Sequence, residues 1–304
     1  MVSTIPSAIG MKSSVSIIST LHFVFRRFIY YTLINAFICS VALGSFVTVS
    51  SLTGKGLLIV QIYIATLLRI LAPIKWFEWI GTKKSHINGA KRIHLTKIQI
   101  QSIYWRILWL VVTTEGISFW FAKQTAVPMQ SHLTWKSFML EYASFIPKSL
   151  VFEIIFDYFH YAMHRMCHYS SWLYVHVHKQ HHRHIHPCPL STYEQDGFDL
   201  CLTNVLPFCL AWTLCFSFSE IQLHMIFAYK AYVEVAGHSG LEIKGFSFPQ
   251  MPLLNYFTSF GLRVHDHDLH HTIQRWNFAK RFSLWDKIFG TFRPGKQLLD
   301  DRQY

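Results

Sequence analysis

Long apolar runs dominate the hydrophobic pattern of this chain. Residues 28–54 contain no charged side chain, and residues 57–80 form a second apolar run that is interrupted by Arg69 and Pro73. A helix needs about 20 apolar residues to cross the hydrocarbon core of a bilayer, so both runs are predicted to be transmembrane helices. Two further spans are predicted at roughly residues 99–122 and 137–160. The apolar residues 200–219 and 221–236 predict a re-entrant hairpin or an extra pair of spans.

The charges between these runs predict how the chain is oriented. Residues 81–97 carry five basic side chains and no acid, which places this loop and the N-terminus in the cytosol by the positive-inside rule. Residues 1–24 are predicted to be a Ser-rich lead-in and not a removed signal peptide. Strand signals are few. The pattern therefore predicts an all-α integral-membrane protein with about four transmembrane helices and a cytosolic cap that begins where the histidines begin.

Composition supports the membrane interpretation. Hydrophobic residues make up 51% of the chain, whereas charged residues make up only 14%, well below the usual share in a soluble protein. A net charge of +12 suits either nucleic acid or an anionic membrane face, and the apolar runs favour the membrane. We therefore predict no nucleic-acid partner. Six cysteines without a CxxC pair predict reduced, mostly buried thiols.

The number and spacing of the histidines indicate a functional site. Nine of the 19 histidines lie between His160 and His186. Residues three and four apart share one face of a helix, and three clusters have that spacing. These clusters are His164 with His168, preceded one turn earlier by His160; His178, His181 and His182; and His267, His270 and His271.

Clusters of neutral imidazole suit iron, zinc or copper, with several ligands sharing more than one ion. A single HxxxH spacing is often incidental, but two copies of HxxHH beside it predict a metal site. A proton relay would need a file of single ionisable groups, and a metal transporter would distribute ionisable residues through several spans. Here the histidines gather beyond the helices, which argues against a transport pathway.

The surroundings of the clusters resemble the sterol desaturase / fatty acid hydroxylase superfamily. The resemblance covers roughly residues 135–295 and rests on two stretches: the run from Asp157 through His160-Tyr-Ala-Met-His164-Arg165 to His181-His182, and the run from His267-Asp-Leu-His270-His271 through Asn277 to Trp285-Asp286. The segment His238-Ser-Gly240 is most similar to the sterol C4-methyl oxidase branch. Leu241, however, stands where that branch typically has an aromatic residue.

This resemblance implies nine ligands to two irons per chain, with O₂ as the oxidant. The implied ligands are His164, His168, His178, His181, His182, His238, His267, His270 and His271. It also implies a lipid substrate, electrons from a separate donor such as cytochrome b5 or an NAD(P)H reductase, and residence in the endoplasmic reticulum membrane with a cytosolic active site. The expected function is hydroxylation of a sterol or fatty-acyl lipid, or oxidation of its methyl group. A desaturase, or a non-catalytic metal-binding scaffold or transporter, are the alternatives.

Metal-bound imidazoles usually donate their second nitrogen to a carboxylate or a carbonyl. The carboxylates predicted to act in this way are Glu153, Asp157, Glu234, Asp266 and Asp268. His160 could be a further ligand or a supporting residue, whereas His176, His184, His186 and His265 are not expected to be primary ligands.

Three units follow from this reasoning. Residues 1–135 form membrane spans, residues 136–295 the catalytic domain and residues 296–304 a tail. Within them, the apolar segments 137–160 and 200–236 could line a path for a lipid. Lys280, Arg281, Lys287 and Arg293 could form a basic surface for headgroups or for an acidic electron donor.

Overall fold

The computed structural model is helical, as predicted. It describes residues 17–50, 57–83, 86–87, 94–129, 133–243, 247–251, 254 and 258–295. Residues 51–56, where Gly54 and Gly56 predict a short turn between the first two spans, lie outside the described residues. So do about half of the basic loop at residues 81–97 and the tail at residues 296–304. Within the described part of the chain, extended backbone pairs only at three isolated bridges.

The described residues form eleven α-helices and several short π-helical and 3₁₀ turns. The α-helices are α1 (Ile17–Ser50), α2 (Leu58–Gly81), α3 (Lys97–Arg106), α4 (Val112–Lys123), α5 (Trp135–Tyr169), α6 (Ser171–Leu173), α7 (Gly197–Leu200), α8 (Leu206–Leu214), α9 (Glu220–Gly237), α10 (Val264–Ile273) and α11 (Leu284–Ile288). Three π-helical turns, Ile107–Val111, Tyr174–His178 and Cys201–Val205, join α3 to α4, extend α6 and join α7 to α8. Helix α1 begins at Ile17, inside the predicted lead-in.

Three described helical segments are long and apolar enough to cross a membrane. They are Val24–Ser50, Leu58–Gly81 and Gly197–Leu214. The first two coincide with the first two predicted spans, and the third falls in the region predicted as a hairpin or extra pair. The other two predicted spans are helical as well, in α3–α4 and in α5. The prediction of an all-α integral-membrane protein is confirmed.

The apolar core lies between these long helices. Helix α9 packs against α1 and α2, and α5 packs against α8. Phe145, Phe152 and Phe156 on α5 and Phe208 on α8 are buried in this core. Because α9 is buried from Ile221 to Gly237, it places the residue that caps its C-terminus, His238, deep inside the protein.

Local signals explain where the principal helices begin and end. Thr134 and Ser219 form capping boxes at the N-termini of α5 and α9, which satisfy backbone N–H groups that have no partner inside the helix. At the other end, Ser170 adopts extended backbone and stops α5 just after His168. Helix α10 ends at Gln274, which has a left-handed φ of 62°. These stops fix the position of the histidines on the last turns of α5 and α10.

Candidate metal centre

All nine predicted ligands lie together in two adjoining groups. The first group contains His164, His168, His178, His182 and His270, and the second contains His181, His238, His267 and His271. Within each group, one nitrogen from every ring lies within 4.8 Å of the others. The groups adjoin each other, since the His182 and His271 ring centres are 4.8 Å apart. The structure therefore brings together residues that are more than 100 positions apart in the sequence.

The helices account for this convergence. The last two turns of α5 present His164 and His168 four residues apart, on one face. A π-helical turn adds one residue to a helical turn and shifts the side chains that follow, and such a turn ends at His178. A 3₁₀ turn, His181–Arg183, follows and directs its first two rings into different groups.

The remaining ligands come from α9 and α10. His238 caps α9, and the HxxHH spacing on α10 places His270 in one group and His267 and His271 in the other. Gly240 follows His238 with a φ of 64°, a left-handed conformation that glycine adopts without strain. A Cβ atom at this glycine would lie 3.0 Å from the Pro187 carbonyl oxygen. The glycine thus allows the chain to turn away directly after His238.

Four imidazole nitrogens of the first group form a closed ring. The Nε2–Nε2 distances are 3.0 Å from His164 to His178, 3.1 Å from His178 to His182, 3.1 Å from His182 to His168 and 3.3 Å from His168 to His164. A square with an edge of 3.1 Å has its centre about 2.2 Å from each corner (3.1/√2), close to the roughly 2.1 Å of metal–imidazole bonds. The fifth ring, His270, faces the same space with a buried Nε2 that has no hydrogen-bond partner among the described residues. The donor set therefore fits a metal ion.

The outward nitrogens of these rings are fixed by acceptors. Nδ1 of His164 donates to the Phe278 carbonyl at 2.7 Å, and Nδ1 of His270 donates to the Trp276 carbonyl at 2.8 Å. In the second group, Nδ1 of His238 donates to the Glu234 carbonyl at 2.8 Å. A neutral imidazole carries a single ring proton, so each of these rings turns the lone pair of Nε2 inward. This is the tautomer that a metal requires.

One carboxylate also contacts a ligand ring. Asp199, which lies on the short helix α7, accepts from Nδ1 of His178 at 2.8 Å and is 1% exposed. The sequence reasoning missed Asp199. The two residues are 21 positions apart and no local pattern joins them. A carboxylate at this position would increase the basicity of His178 as a ligand.

Two buried carboxylates hold the segment that supplies the carbonyl acceptors. Asp157 on α5 accepts from the backbone N–H groups of residues 280, 281 and 282 at 2.8–3.0 Å. Asp286 accepts from those of Phe278 and Ala279. Asp157 and Asp286 thus hold the backbone segment whose Trp276 and Phe278 carbonyls orient His270 and His164.

The other predicted supporting residues have varied positions. Glu234 orients His238 through its carbonyl, while its carboxylate contacts Lys280. Asp268 lies 3.1 Å from His186, and His160 Nδ1 donates to the Thr203 carbonyl at 2.6 Å. His160 belongs to neither group.

The remaining carboxylates and basic residues also have structural positions. Asp266 accepts from the backbone N–H groups of Arg263 and Gly295, and Glu153 pairs with Arg281. The predicted basic surface is wrong for Lys280 and Arg281, because both are buried in ion pairs.

Burial keeps the clustered rings neutral. It lowers the pKa of His238 to about 4 and that of His270 to about 3. For His164, His181 and His271, burial and the neighbouring imidazoles hold the pKa well below its ordinary value. At neutral pH the site is therefore a set of uncharged nitrogen donors, which is suited to first-row transition metals.

These features define a class of protein: a helical membrane protein whose cap holds two adjoining, buried groups of histidines that fit metal ions. Comparison with known proteins agrees. Residues 149–291 match the fatty acid hydroxylase family model. This part of the chain, which carries all nine clustered histidines, is similar to the sterol desaturase / fatty acid hydroxylase superfamily.

Several curated relatives support this placement. The chain is 28% identical to the fatty acid hydroxylase vlmA of Lecanicillium sp, over 70% of this chain and 59% of the relative. It is 30% identical to human cholesterol 25-hydroxylase, over 46% and 49%. It is 29% identical to sphinganine C4-monooxygenase 1 of Arabidopsis thaliana, over 46% and 52%. The chain spans about half the length of the curated relatives it matches. No solved structure matches. The assignment to the C4-methyl oxidase branch stays a prediction.

Proposed function

We propose that this protein is a membrane-bound di-iron oxygenase that hydroxylates a lipid. The observation that supports this most strongly is the double histidine site: nine neutral nitrogen donors in two groups, of which the first has the spacing of ligands around one metal ion. The reaction class follows from the superfamily, whose relatives named above are hydroxylases and a monooxygenase.

The five histidines of the first group would hold one iron, and the four of the second group would hold the other. When bound, the metal supplies the activation of O₂ that imidazole cannot provide. Overall, one C–H bond, O₂, two electrons and two protons give an alcohol and one water. The electrons come from a separate redox protein or reductase, such as cytochrome b5.

The chain's own residues position and isolate the centre. Asp199 and the carbonyls of Glu234, Trp276 and Phe278 fix the rings. Asp286 binds the backbone N–H of Phe278 itself, and Asp157 binds the backbone that follows at residues 280–282. Burial excludes water from most of the ligands, since His178, His267 and His270 are each at most 5% exposed. The ligands therefore need little rearrangement when a metal binds.

A lipid substrate fits the attachment of the site to membrane helices. Helix α5 passes through the apolar core and carries His168 in its last turn, and α9 passes through the same core and is capped by His238. We propose that the active site faces the cytosol at the endoplasmic reticulum membrane and that residues 136–295 form the catalytic domain.

Two measurements test this function. Detergent-purified protein should contain about two irons per chain, and a host that expresses it should accumulate a hydroxylated lipid. The double variant His270→Ala/His271→Ala removes one ligand from each group and should lose both metals and the product. Full activity of that variant would contradict the proposal. The variant His176→Ala, which changes a histidine outside both groups, is the matched control.

A desaturase remains the second candidate, because the same histidine groups serve both reactions. The identity of the product separates the two: an alcohol supports the hydroxylase and an alkene supports the desaturase. A protein without transition metal and without a new lipid would instead support a scaffold.

A further inference from the structure

One edge of the first histidine group reaches the protein surface. Four of its five rings are buried, whereas the His168 ring is half-buried. The Tyr174 ring lies beside it, with the ring centres 5.6 Å apart, and its hydroxyl donates to Gln274 Oε1 at 2.6 Å. In the second group, the half-buried ring of His181 contacts the buried Gln195 side chain through its Nδ1. A molecule outside Tyr174 is therefore separated from the first group by a single layer of side chains.

Three exposed basic side chains surround this edge. The backbone N–H of Lys179 donates to the Tyr174 carbonyl at 2.7 Å. Arg275 directly follows the glutamine that the tyrosine hydroxyl binds, and the Arg293 guanidinium lies 4.1 Å from the centre of the Trp276 ring. Lys179, Arg275 and Arg293 are all exposed. Because these contacts link them, they form one surface, which we call the basic rim.

Exposed acids do not compensate the basic rim within the segments that form it. Residues 160–183 contain no Asp or Glu. The three acids of residues 263–295, Asp266, Asp268 and Asp286, are at most 2% exposed and have partners inside the protein. These segments therefore present only positive charges to solvent, and such a surface attracts a partner of negative charge.

Trp276 connects the basic rim to a second ligand. Its carbonyl accepts from Nδ1 of His270 at 2.8 Å, and its ring stacks with the Arg293 guanidinium. A single residue thus lies between an exposed charge and a ring of the first group. Trp, Tyr and Arg are also the residues that contribute most to binding at protein interfaces. Small interfaces steered by opposite charges are typical of transient electron-transfer complexes.

We propose that the basic rim is the docking surface for an acidic, soluble redox domain that delivers electrons to the centre. The inference rests on the proposed function, because a centre that activates O₂ needs an electron donor. The reaction consumes two electrons, so two one-electron carriers are oxidised in successive encounters at this surface. An anionic membrane face also attracts basic residues. The half-buried His168 edge inside the rim favours the redox domain, since a carrier bound there comes close to the first group.

Binding of a redox domain to the purified, metal-loaded protein tests this surface. The probe is the isolated haem domain of a cytochrome b5 with a net negative charge. Its matched control is the same domain after its surface carboxylates have been converted to amides. The full chain is held in nanodiscs of neutral lipid, and Kd is measured at low and at high salt. Salt screens the attraction between exposed charges, so Kd for the acidic domain should rise with salt, and the amidated domain should bind more weakly.

Substitutions assign the binding to the basic rim. The triple variant Lys179→Gln/Arg275→Gln/Arg293→Gln removes its three charges. Each exposed ion pair strengthens binding by a factor of roughly 1.4 to 5, so the triple variant should bind roughly 3- to 100-fold more weakly at low salt. Lys136→Gln is the matched control, because Lys136 is exposed at the opposite end of α5 from the histidines. If the triple variant does not fold, the three single variants and the two probes on the wild type decide.

An unchanged Kd in the triple variant would overturn the docking surface, as would equal binding of the two probes. Protection of Lys179 from acetylation in nanodiscs of anionic lipid, relative to neutral lipid, would also overturn it, because the basic rim would then lie on the membrane. Iron content, measured on the same samples, separates this result from the proposed function. Two irons without charge-dependent binding would remove only the docking surface, whereas charge-dependent binding without transition metal would remove only the oxygenase.

Discussion

Removing the Asp199 carboxylate tests whether a residue outside the histidine groups increases the metal affinity of His178. Asp199 accepts from Nδ1 of His178 at 2.8 Å, and its second oxygen is buried without a hydrogen-bond partner among the described residues. The variant Asp199→Ala removes the acceptor and the negative charge together. Loss of such a partner typically lowers metal affinity 10- to 100-fold, which corresponds to about 1.4–2.8 kcal/mol.

The assay is retention of metal against a chelator. Purified wild-type and variant proteins are incubated with increasing chelator, desalted and analysed for metal content. We expect the Asp199→Ala midpoint to fall by one to two orders of magnitude and the Asp199→Asn midpoint to fall less, because an amide oxygen still accepts the hydrogen bond. Since His178 belongs to the first group, one metal per chain should be lost before the other.

Asp196→Ala is the matched control. Asp196 is a nearby carboxylate that caps α7 by accepting from the Phe198 backbone and is not among the clustered groups. It should retain metal like the wild type even if the helix loses some stability. Identical chelator midpoints for wild type and Asp199→Ala would refute the reasoning, because the hydrogen bond to His178 would then contribute nothing to the metal site.

Three further outcomes follow from the same structure. Metal should stay bound at about pH 6 and be released as the pH falls towards the lowered pKa values of His238 and His270, about 4 and 3, because protons then compete with the metal for Nε2. In a titration of bound metal against pH, release centred on the ordinary histidine pKa would contradict this. Asp157→Ala leaves three buried N–H groups without an acceptor, and each unsatisfied group costs about 1–3 kcal/mol of stability. The unfolding temperature of Asp157→Ala should therefore fall well below that of Asp157→Asn, and equal temperatures would contradict the role of the carboxylate. Gly240→Ala adds backbone strain of about 1–2 kcal/mol from the left-handed φ and also a close contact with the Pro187 carbonyl, whereas Gly290→Ala adds the strain alone. Gly240→Ala should therefore lower the unfolding temperature more than Gly290→Ala does, and equal decreases would contradict the role of the contact.

Helical periodicity explains why so much of the site could be predicted. His164 and His168, and the three histidines of α10, have spacings that place them on neighbouring positions of any α-helix, so the grouping within each helix required only that the helix form. His238 has no such partner in sequence, and it was recognised only through resemblance to a family. The long apolar runs likewise predicted helices, because a helix satisfies its backbone hydrogen bonds within one continuous segment of about 20 residues.

The acceptors that orient the rings could not be predicted in the same way. The carbonyls of Trp276 and Phe278 belong to the backbone, so side-chain identity carries no signal for them. Asp157 was predicted to support a ring directly, but it instead binds the backbone of residues 280–282, more than 120 positions away. Such a contact depends on how α5 packs against the C-terminal segment, which local sequence does not determine.

The same contact explains how the centre is joined to the membrane part of the protein. Asp157 lies about two turns before His164 on α5, so a single helix carries two of the ligands and also the carboxylate that fixes the segment behind His164 and His270. Glu234 has the corresponding position on α9: its carbonyl orients His238, and its carboxylate holds Lys280, the residue whose own N–H is bound by Asp157. The two helices are thereby joined through one backbone segment. Because α5 carries ligands of the first histidine group and His238 caps α9 in the second, this segment couples the positions of the two groups.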